Sequence, residues 1–183
     1  MPNLTETQIS STKLVDGLLL KAWCDTVRLP NGKTGIREYL KHPGAVIMIP
    51  LWPNGNTILV KQFRYPVGKT FFELPAGKLD GAEPPEEAVQ RELTEEIGYA
   101  SAKITHIAEF FPCIGYSNEK MWLFAAEELT EAHAETDHDE FIETLRLPFG
   151  EAVSMAHRGE IDDMKTIAGI LLGQNFFSRR AGK

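Results

Sequence analysis

Three glutamates, Glu92, Glu95 and Glu96, fall within five consecutive positions of the chain. On a helix, residues four apart stand one above the other, so Glu92 and Glu96 share a face and Glu95 lies beside them. Like charges so placed cost roughly 0.2–0.5 kcal/mol per pair, a cost that a bound cation removes. Hard divalent ions take oxygen ligands, and Mg²⁺ is commonly held by one or two carboxylates together with substrate phosphates. An acid-rich helix is most often only a solvated face. Here the acids sit at fixed distances from other residues. Gly77 is followed by five residues, Glu83, seven residues, and then Arg91-Glu92-Leu93-Thr94-Glu95-Glu96-Ile97-Gly98-Tyr99.

A helix is expected between Pro84-Pro85 and Gly98. Proline suits a first helical turn, Asp80 or Glu83 can serve the free amides there, and Gly98 suits a left-handed stop. Val89, Leu93 and Ile97 give that helix an apolar stripe. Leu74-Pro75-Ala76-Gly77 makes a tight approach to it. Upstream, 18–20, 23–29 and 36–40 read as strands of an N-terminal meander, with Pro30-Asn31-Gly32-Lys33 as a turn. Buried or amphipathic strands follow at 44–50, 57–64, 71–74, 103–111, 121–127 and 140–147. Amphipathic helices cover 149–157 and 162–177, the second packing Ile167, Ile170, Leu171 and Phe177. Strands interspersed with three helices predict an α/β fold, a mixed sheet covered on both faces.

The spaced pattern from Gly77 to Tyr99 resembles the signature of the Nudix hydrolases. Outside it, several segments resemble the ADP-ribose and nucleoside diphosphate sugar pyrophosphatase branch. These are Arg37-Glu38 ahead of His42-Pro43-Gly44-Ala45, Lys61-Gln62-Phe63-Arg64-Tyr65, Phe72-Glu73-Leu74-Pro75-Ala76-Gly77, Gly115-Tyr116-Ser117-Asn118-Glu119 and Gly159-Glu160-Ile161-Asp162. The likeness covers roughly 36–172. One departure is Cys113-Ile114-Gly115 where ADP-ribose enzymes commonly carry Ser-Pro-Gly; it weakens a preference for ADP-ribose and leaves the wider class of nucleotide sugars.

The resemblance implies a Nudix-type α/β/α sandwich around a mixed sheet, with the glutamate helix lining the cleft. It implies metal ligands at Glu92 and Glu96, Glu95 in a supporting or second-metal role, the main-chain carbonyl of Ala76, and Mg²⁺ or Mn²⁺ as the ion. Arg91 and Glu83 are then internal partners of the loop and the acids. Arg64 is the first choice for a diphosphate contact, because a guanidinium matches phosphate oxygens bidentately; a surface salt bridge is the competing reading. Arg37, Glu38, Glu73, Gly115 and Glu119 are further substrate candidates, and Trp23, Tyr39 or Tyr116 could stack on a base. Glu140 is matched to the general base, with Glu95 and Glu119 as alternatives. The implied reaction is hydrolysis of the pyrophosphate link of an ADP-ribose-like, ADP-glucose or GDP-mannose type substrate. Alternatives are a Nudix enzyme acting on nucleoside triphosphates or dinucleoside polyphosphates, and a non-catalytic module that senses nucleotide sugars.

The 183 residues, 43% hydrophobic, suffice for one packed domain. The expected division is a flexible 1–12, a meander over 13–40 that serves as a dimerisation element, the main domain over 41–178 and a basic tail over 179–183. Cys24 and Cys113 show no metal spacing and read as reduced thiols. With no signal-peptide layout and no run of 18 apolar residues, a cytoplasmic protein is expected, and the resemblance to the branch implies a homodimer. A net charge of −7 without a basic stripe argues against nucleic acid as a partner.

Overall fold

A computed structural model describes residues 3–132 and 141–182, apart from the Ala181 side chain. In chain order the elements are β1 (Thr7–Asp16), β2 (Lys21–Arg28), β3 (Thr34–Lys41), β4 (Ala45–Pro50), β5 (Asn56–Arg64), β6 (Lys69–Glu73), β7 (Ala76–Lys78), α1 (Pro85–Ile97), β8 (Tyr99–Phe110), β9 (Met121–Glu131), β10 (Ile142–Pro148), α2 (Phe149–His157) and α3 (Met164–Ala181). They fall into two compact units. One comprises 1–43 and 111–120; the other comprises 44–110 and 121–183.

The larger unit holds the glutamate helix. Its four-stranded sheet runs β7-β4-β9-β8, and its three-stranded sheet runs β10-β5-β6. β4 and β9 are parallel, Ala45 opposite Met121, and the other pairings are antiparallel. The expected mixed sheet is therefore present. Every residue of β4 is buried, because alternate side chains enter different layers. Val46 and Met48 join Val89, Leu93 and Ile97 of α1, together with Ile58, Val60 and Phe124. Ile47 and Ile49 join Leu59, Leu74, Leu123, Ala152 of α2 and Ile170 of α3. A sheet with apolar helices on both faces is the α/β/α arrangement.

α3 approaches this sheet closely. A Cβ on Gly173 would lie 2.4 Å from Ile49 Cδ1, and one on Gly169 would lie 2.7 Å from Leu74 Cδ1. The helix continues to Ala181 and so includes Arg179 and Arg180, assigned above to a tail. Arg180 donates to Glu127 at 2.8 Å. Leu171, expected in the core, is exposed, while Ile167 and Phe177 are partly buried and Ile170 is fully so.

The smaller unit is a meander, β1-β2-β3, antiparallel throughout. Two expectations are corrected here. Residues 7–12, read as part of a flexible terminus, belong to β1 and pair with β2, Ser11 opposite Asp25. All ten side chains of β1 are exposed, so it carries no apolar alternation for sequence reasoning to find. Leu18–Leu20, read as a strand, forms the bend between β1 and β2, where Gly17 N–H donates to Leu20 O at 3.0 Å. The turn before β3 is as expected, with Gly32 at φ +83. Residues 111–120 are stitched to the end of β3 through Leu40 N–H to Tyr116 O at 2.8 Å and His42 N–H to Asn118 Oδ1 at 2.8 Å.

β7 was not anticipated, and β9 runs to Glu131, beyond the strand expected over 121–127. Residues 133–140, with His133, His138 and Glu140, lie outside the described residues.

Candidate active site on the glutamate helix

α1 begins at Pro85 and is closed by Gly98 at φ +72, whose N–H meets the carbonyls of Leu93 and Thr94. Neither Asp80 nor Glu83 caps its first turn. Glu83 instead accepts from the Asp80 N–H at 2.7 Å and from Arg91 Nη2 at 2.7 Å. A guanidinium is the stronger partner for a carboxylate than a helical amide.

Arg91 organises the acids. It donates to Glu92 at 2.7 Å, to Glu95 at 3.0 Å and to the Lys78 carbonyl at 2.9 Å, besides Glu83. The Glu83 hydrogen bond, then those to Glu92 and Glu95, outweigh burial and hold the guanidinium charged well beyond the ordinary arginine range. The repulsion expected among the glutamates is thus partly relieved from within.

Two features bring Glu92 and Glu96 against the chain at β7. A Cβ on Gly77 would fall 1.8 Å from the Glu92 carboxyl, so any larger residue there must push that carboxyl aside. The Ala76 N–H donates to Glu96 Oε2 at 2.9 Å. Glu92 and Glu96 are both buried, whereas Glu95 is partly exposed. Among the described residues no group of three or more His, Cys, Asp or Glu side chains is gathered as a cation cage. Buried carboxylates that meet a main-chain segment nonetheless suit a hard cation that completes its shell with water and phosphate oxygens. The residues fit a hard divalent cation in that sense.

Arg64 and Glu73 form a bidentate pair, Nε and Nη2 each 2.7 Å from a carboxylate oxygen. Glu73 is buried and also accepts from Lys165. Burial alone would raise its pKa, but the Arg64 hydrogen bonds and the Lys165 charge prevail and hold it below the usual carboxylate range. Lys165 continues to Asp163 at 2.8 Å. Lys165, Asp163 and Thr166 were missed in the sequence. The Asp-x-x-Thr spacing at the start of α3, a capping pattern, was the available signal.

The other candidates lie in the smaller unit. Arg37 pairs with Glu6, Nε to Oε2 at 2.9 Å. Glu38 is exposed on β3, opposite Cys24. Gly115 is exposed in the turn before Tyr116, and Tyr116 Oη donates to Cys113 Sγ at 3.2 Å. Glu119 lies 3.8 Å from His42 Nδ1. Trp23 has Lys41 Nζ over its ring at 3.7 Å, and Tyr39 donates to the buried Asp25 at 3.2 Å.

The fold and this arrangement define a class: the chain matches the NUDIX domain over residues 41–168 and belongs to that family, whose hydrolases use divalent metal ions. Among its relatives, the ADP-ribose pyrophosphatase of Bacillus subtilis (strain 168) is 40% identical, covering 93% of each chain. The methanol dehydrogenase activator of Bacillus methanolicus is 35% identical over 90% of each. A GDP-mannose pyrophosphatase of Yersinia enterocolitica is 37% identical over 72% of this chain and 74% of that one. In fold, the chain is similar to the crystal structure of an ADP compounds hydrolase, with a TM-score of 0.85, 18% identity, and coverage of 96% and 95%.

Proposed function

We propose that the protein hydrolyses the pyrophosphate link of a nucleoside diphosphate sugar, releasing a nucleoside monophosphate and a sugar phosphate. The observation that carries this reading is the pair of buried glutamates, Glu92 and Glu96, held against Gly77 and the Ala76 amide in a chain whose relatives include named ADP-ribose and GDP-mannose pyrophosphatases. Glu92, Glu96 and the Ala76 carbonyl would hold Mg²⁺ or Mn²⁺, with Glu95 in support. Bound there, the ion neutralises diphosphate oxygens and lowers the pKa of water.

This chain's own groups do the rest. Arg91 holds Glu92 and Glu95 in place through its hydrogen bonds. Arg64 presents guanidinium N–H groups not used by Glu73 to the diphosphate, and Glu73 fixes their direction. Arg37, Glu38 and Gly115 are further candidates for substrate contact, and Glu119 is a candidate for the sugar or ribose. Water adds across one bridging P–O bond, and its proton passes to a carboxylate. Glu140 is the first choice for that base, with Glu95 and Glu119 the alternatives. The protein works as a homodimer through its meander, in the cytoplasm, where Cys24 and Cys113 stay reduced.

Turnover of ADP-ribose, ADP-glucose, UDP-glucose and GDP-mannose, assayed with Mg²⁺ and after chelation, tests the reading. Activity on at least one of them should vanish with EDTA and fall by about 10²–10⁴-fold in Glu96→Gln. Wild-type turnover in that variant would overturn the metal assignment. Glu140→Gln should lower kcat with little change in KM; the same result in Glu95→Gln or Glu119→Gln instead would move the base.

A further inference from the structure

Thr166, in the first turn of α3, is fully buried. Its hydroxyl accepts from the Leu74 N–H at 2.9 Å and donates to Asp163 Oδ2 at 2.6 Å. A main-chain N–H can only donate and a carboxylate only accept, so the single atom between them must do both, as a hydroxyl oxygen does. Asp163 is fixed in turn. The same Oδ2 accepts from the Thr166 N–H at 3.0 Å and from Lys165 Nζ at 2.8 Å.

The chain from Leu74 to Ala76 is held at successive points from three elements. α3 takes the Leu74 N–H through Thr166, and Gly169, one turn on, leaves room for the Leu74 side chain. β4 takes the Pro75 carbonyl through the Met48 N–H at 2.9 Å. α1 takes the Ala76 N–H through Glu96 at 2.9 Å. Pro75 has no N–H to add. Losing the Thr166 hydroxyl removes the α3 fixture two residues from the Ala76–Glu96 contact and leaves a buried donor unpaired.

We propose that Thr166 is a positioning residue: its hydroxyl, anchored on Asp163, sets the Leu74–Ala76 main chain so that the Ala76 amide and carbonyl and the Glu96 carboxylate present a preformed cation site. The inference rests on the reading that the ion binds at Glu92 and Glu96. A hydroxyl that acts through the chain behaves as an outer partner of a metal site, where removal costs affinity for the ion more than it costs substrate contact.

Mn²⁺ binding to the full chain, followed by electron paramagnetic resonance, separates the cases when run on wild type, Thr166→Val, Thr166→Ser and Glu96→Gln, with KM for the best nucleotide sugar measured at saturating Mn²⁺. Thr166→Val should weaken Mn²⁺ binding by about tenfold or more and leave KM near the wild-type value, and Thr166→Ser should restore the affinity. Wild-type Mn²⁺ affinity in Thr166→Val, or no recovery in Thr166→Ser, overturns the proposal even where the variant melts earlier, because a purely structural role lowers stability without changing affinity. If Thr166→Val does not fold, Asp163→Asn takes its place: weaker Mn²⁺ binding supports the proposal and unchanged binding overturns it. Wild-type affinity in Glu96→Gln would instead remove the underlying metal reading, an outcome distinct from failure at Thr166 alone.

Discussion

At the scale of single residues, the site depends on a glycine and an arginine as much as on its acids. Gly77→Ala would drive a Cβ to 1.8 Å from the Glu92 carboxyl. To make room the carboxylate would have to leave its place beside Arg91, to which it is bonded at 2.7 Å. The variant should lose about 1–3 kcal/mol of stability, the usual cost of overpacking, and should bind Mn²⁺ poorly; urea unfolding and metal titration check both. Arg91→Ala strips one guanidinium from Glu83, Glu92 and Glu95 together. It should lower stability by about 1.5–3 kcal/mol, since hydrogen bonds to charged groups are lost. Part of that should return on adding Mg²⁺, because the ion takes over the screening of Glu92 and Glu95. A melting temperature insensitive to Mg²⁺ in that variant would contradict the cation site. The acids, Gly77 and Arg91 were all legible in the sequence, because a metal-binding helix needs fixed spacing. What Glu83 does was less so. Its competition between a helix amide and a guanidinium is settled by a residue eight positions away, and local capping rules do not see it.

At the scale of elements, α3 is the part whose role a sequence pattern states least. Its amphipathic period was readable, but not that its first turn would reach Leu74 through Thr166 or hold Glu73 through Lys165. Those partners are separated by 92 residues. β7 escaped notice because three residues give no period, and β1 because none of its side chains is buried. β4, by contrast, was plain, since an unbroken apolar run covered on both faces has few other homes. Gly173→Ala weighs the two forces on α3. An alanine within a helix gains about 1 kcal/mol over glycine, while a Cβ 2.4 Å from the buried Ile49 Cδ1 must displace core at about 1–3 kcal/mol. Net destabilisation is expected by thermal melting. Glu73 ties α3 to β6 and β5 and makes the link dependent on pH. Its folded pKa is depressed, so its contribution is complete above the unfolded carboxylate value of about 4.3 and is lost as pH falls through the lower folded value. Glu73→Gln should therefore be less stable than wild type at pH 7 by about 1–3 kcal/mol, discounted for the exposure of Arg64. The gap should close as urea melts are repeated below about pH 4. A gap constant with pH would mean the carboxylate charge contributes nothing.

At the scale of the whole molecule, a chain of net charge −7 displays its bare apolar surface at chosen places. The β1–β2 bend carries Leu18, Leu19 and Leu20, all exposed, and β3 adds Ile36. Single exposed leucines need no explanation, but a run of them at the tip of a hairpin is where the proposed dimer contact would form. Three leucines do not amount to the roughly 1,200–2,000 Å² that a stable interface buries, so a homodimer needs more than the bend. β1 supplies it in principle: it lies at the edge of its sheet with every side chain exposed, and an edge strand is a template for pairing with another chain. A dimer built through both features should depend steeply on each. Leu19→Asp buries a charge in the apolar part of the contact, where an unpaired carboxylate costs several kcal/mol. It should convert a dimeric wild type into a monomer by sedimentation or light scattering, while leaving the larger unit folded by circular dichroism. Mn²⁺ affinity at Glu92 and Glu96 should persist in that monomer, because every residue that builds the cation site lies within the larger unit. A wild type that sediments as a monomer at micromolar concentration would remove the meander's part in assembly.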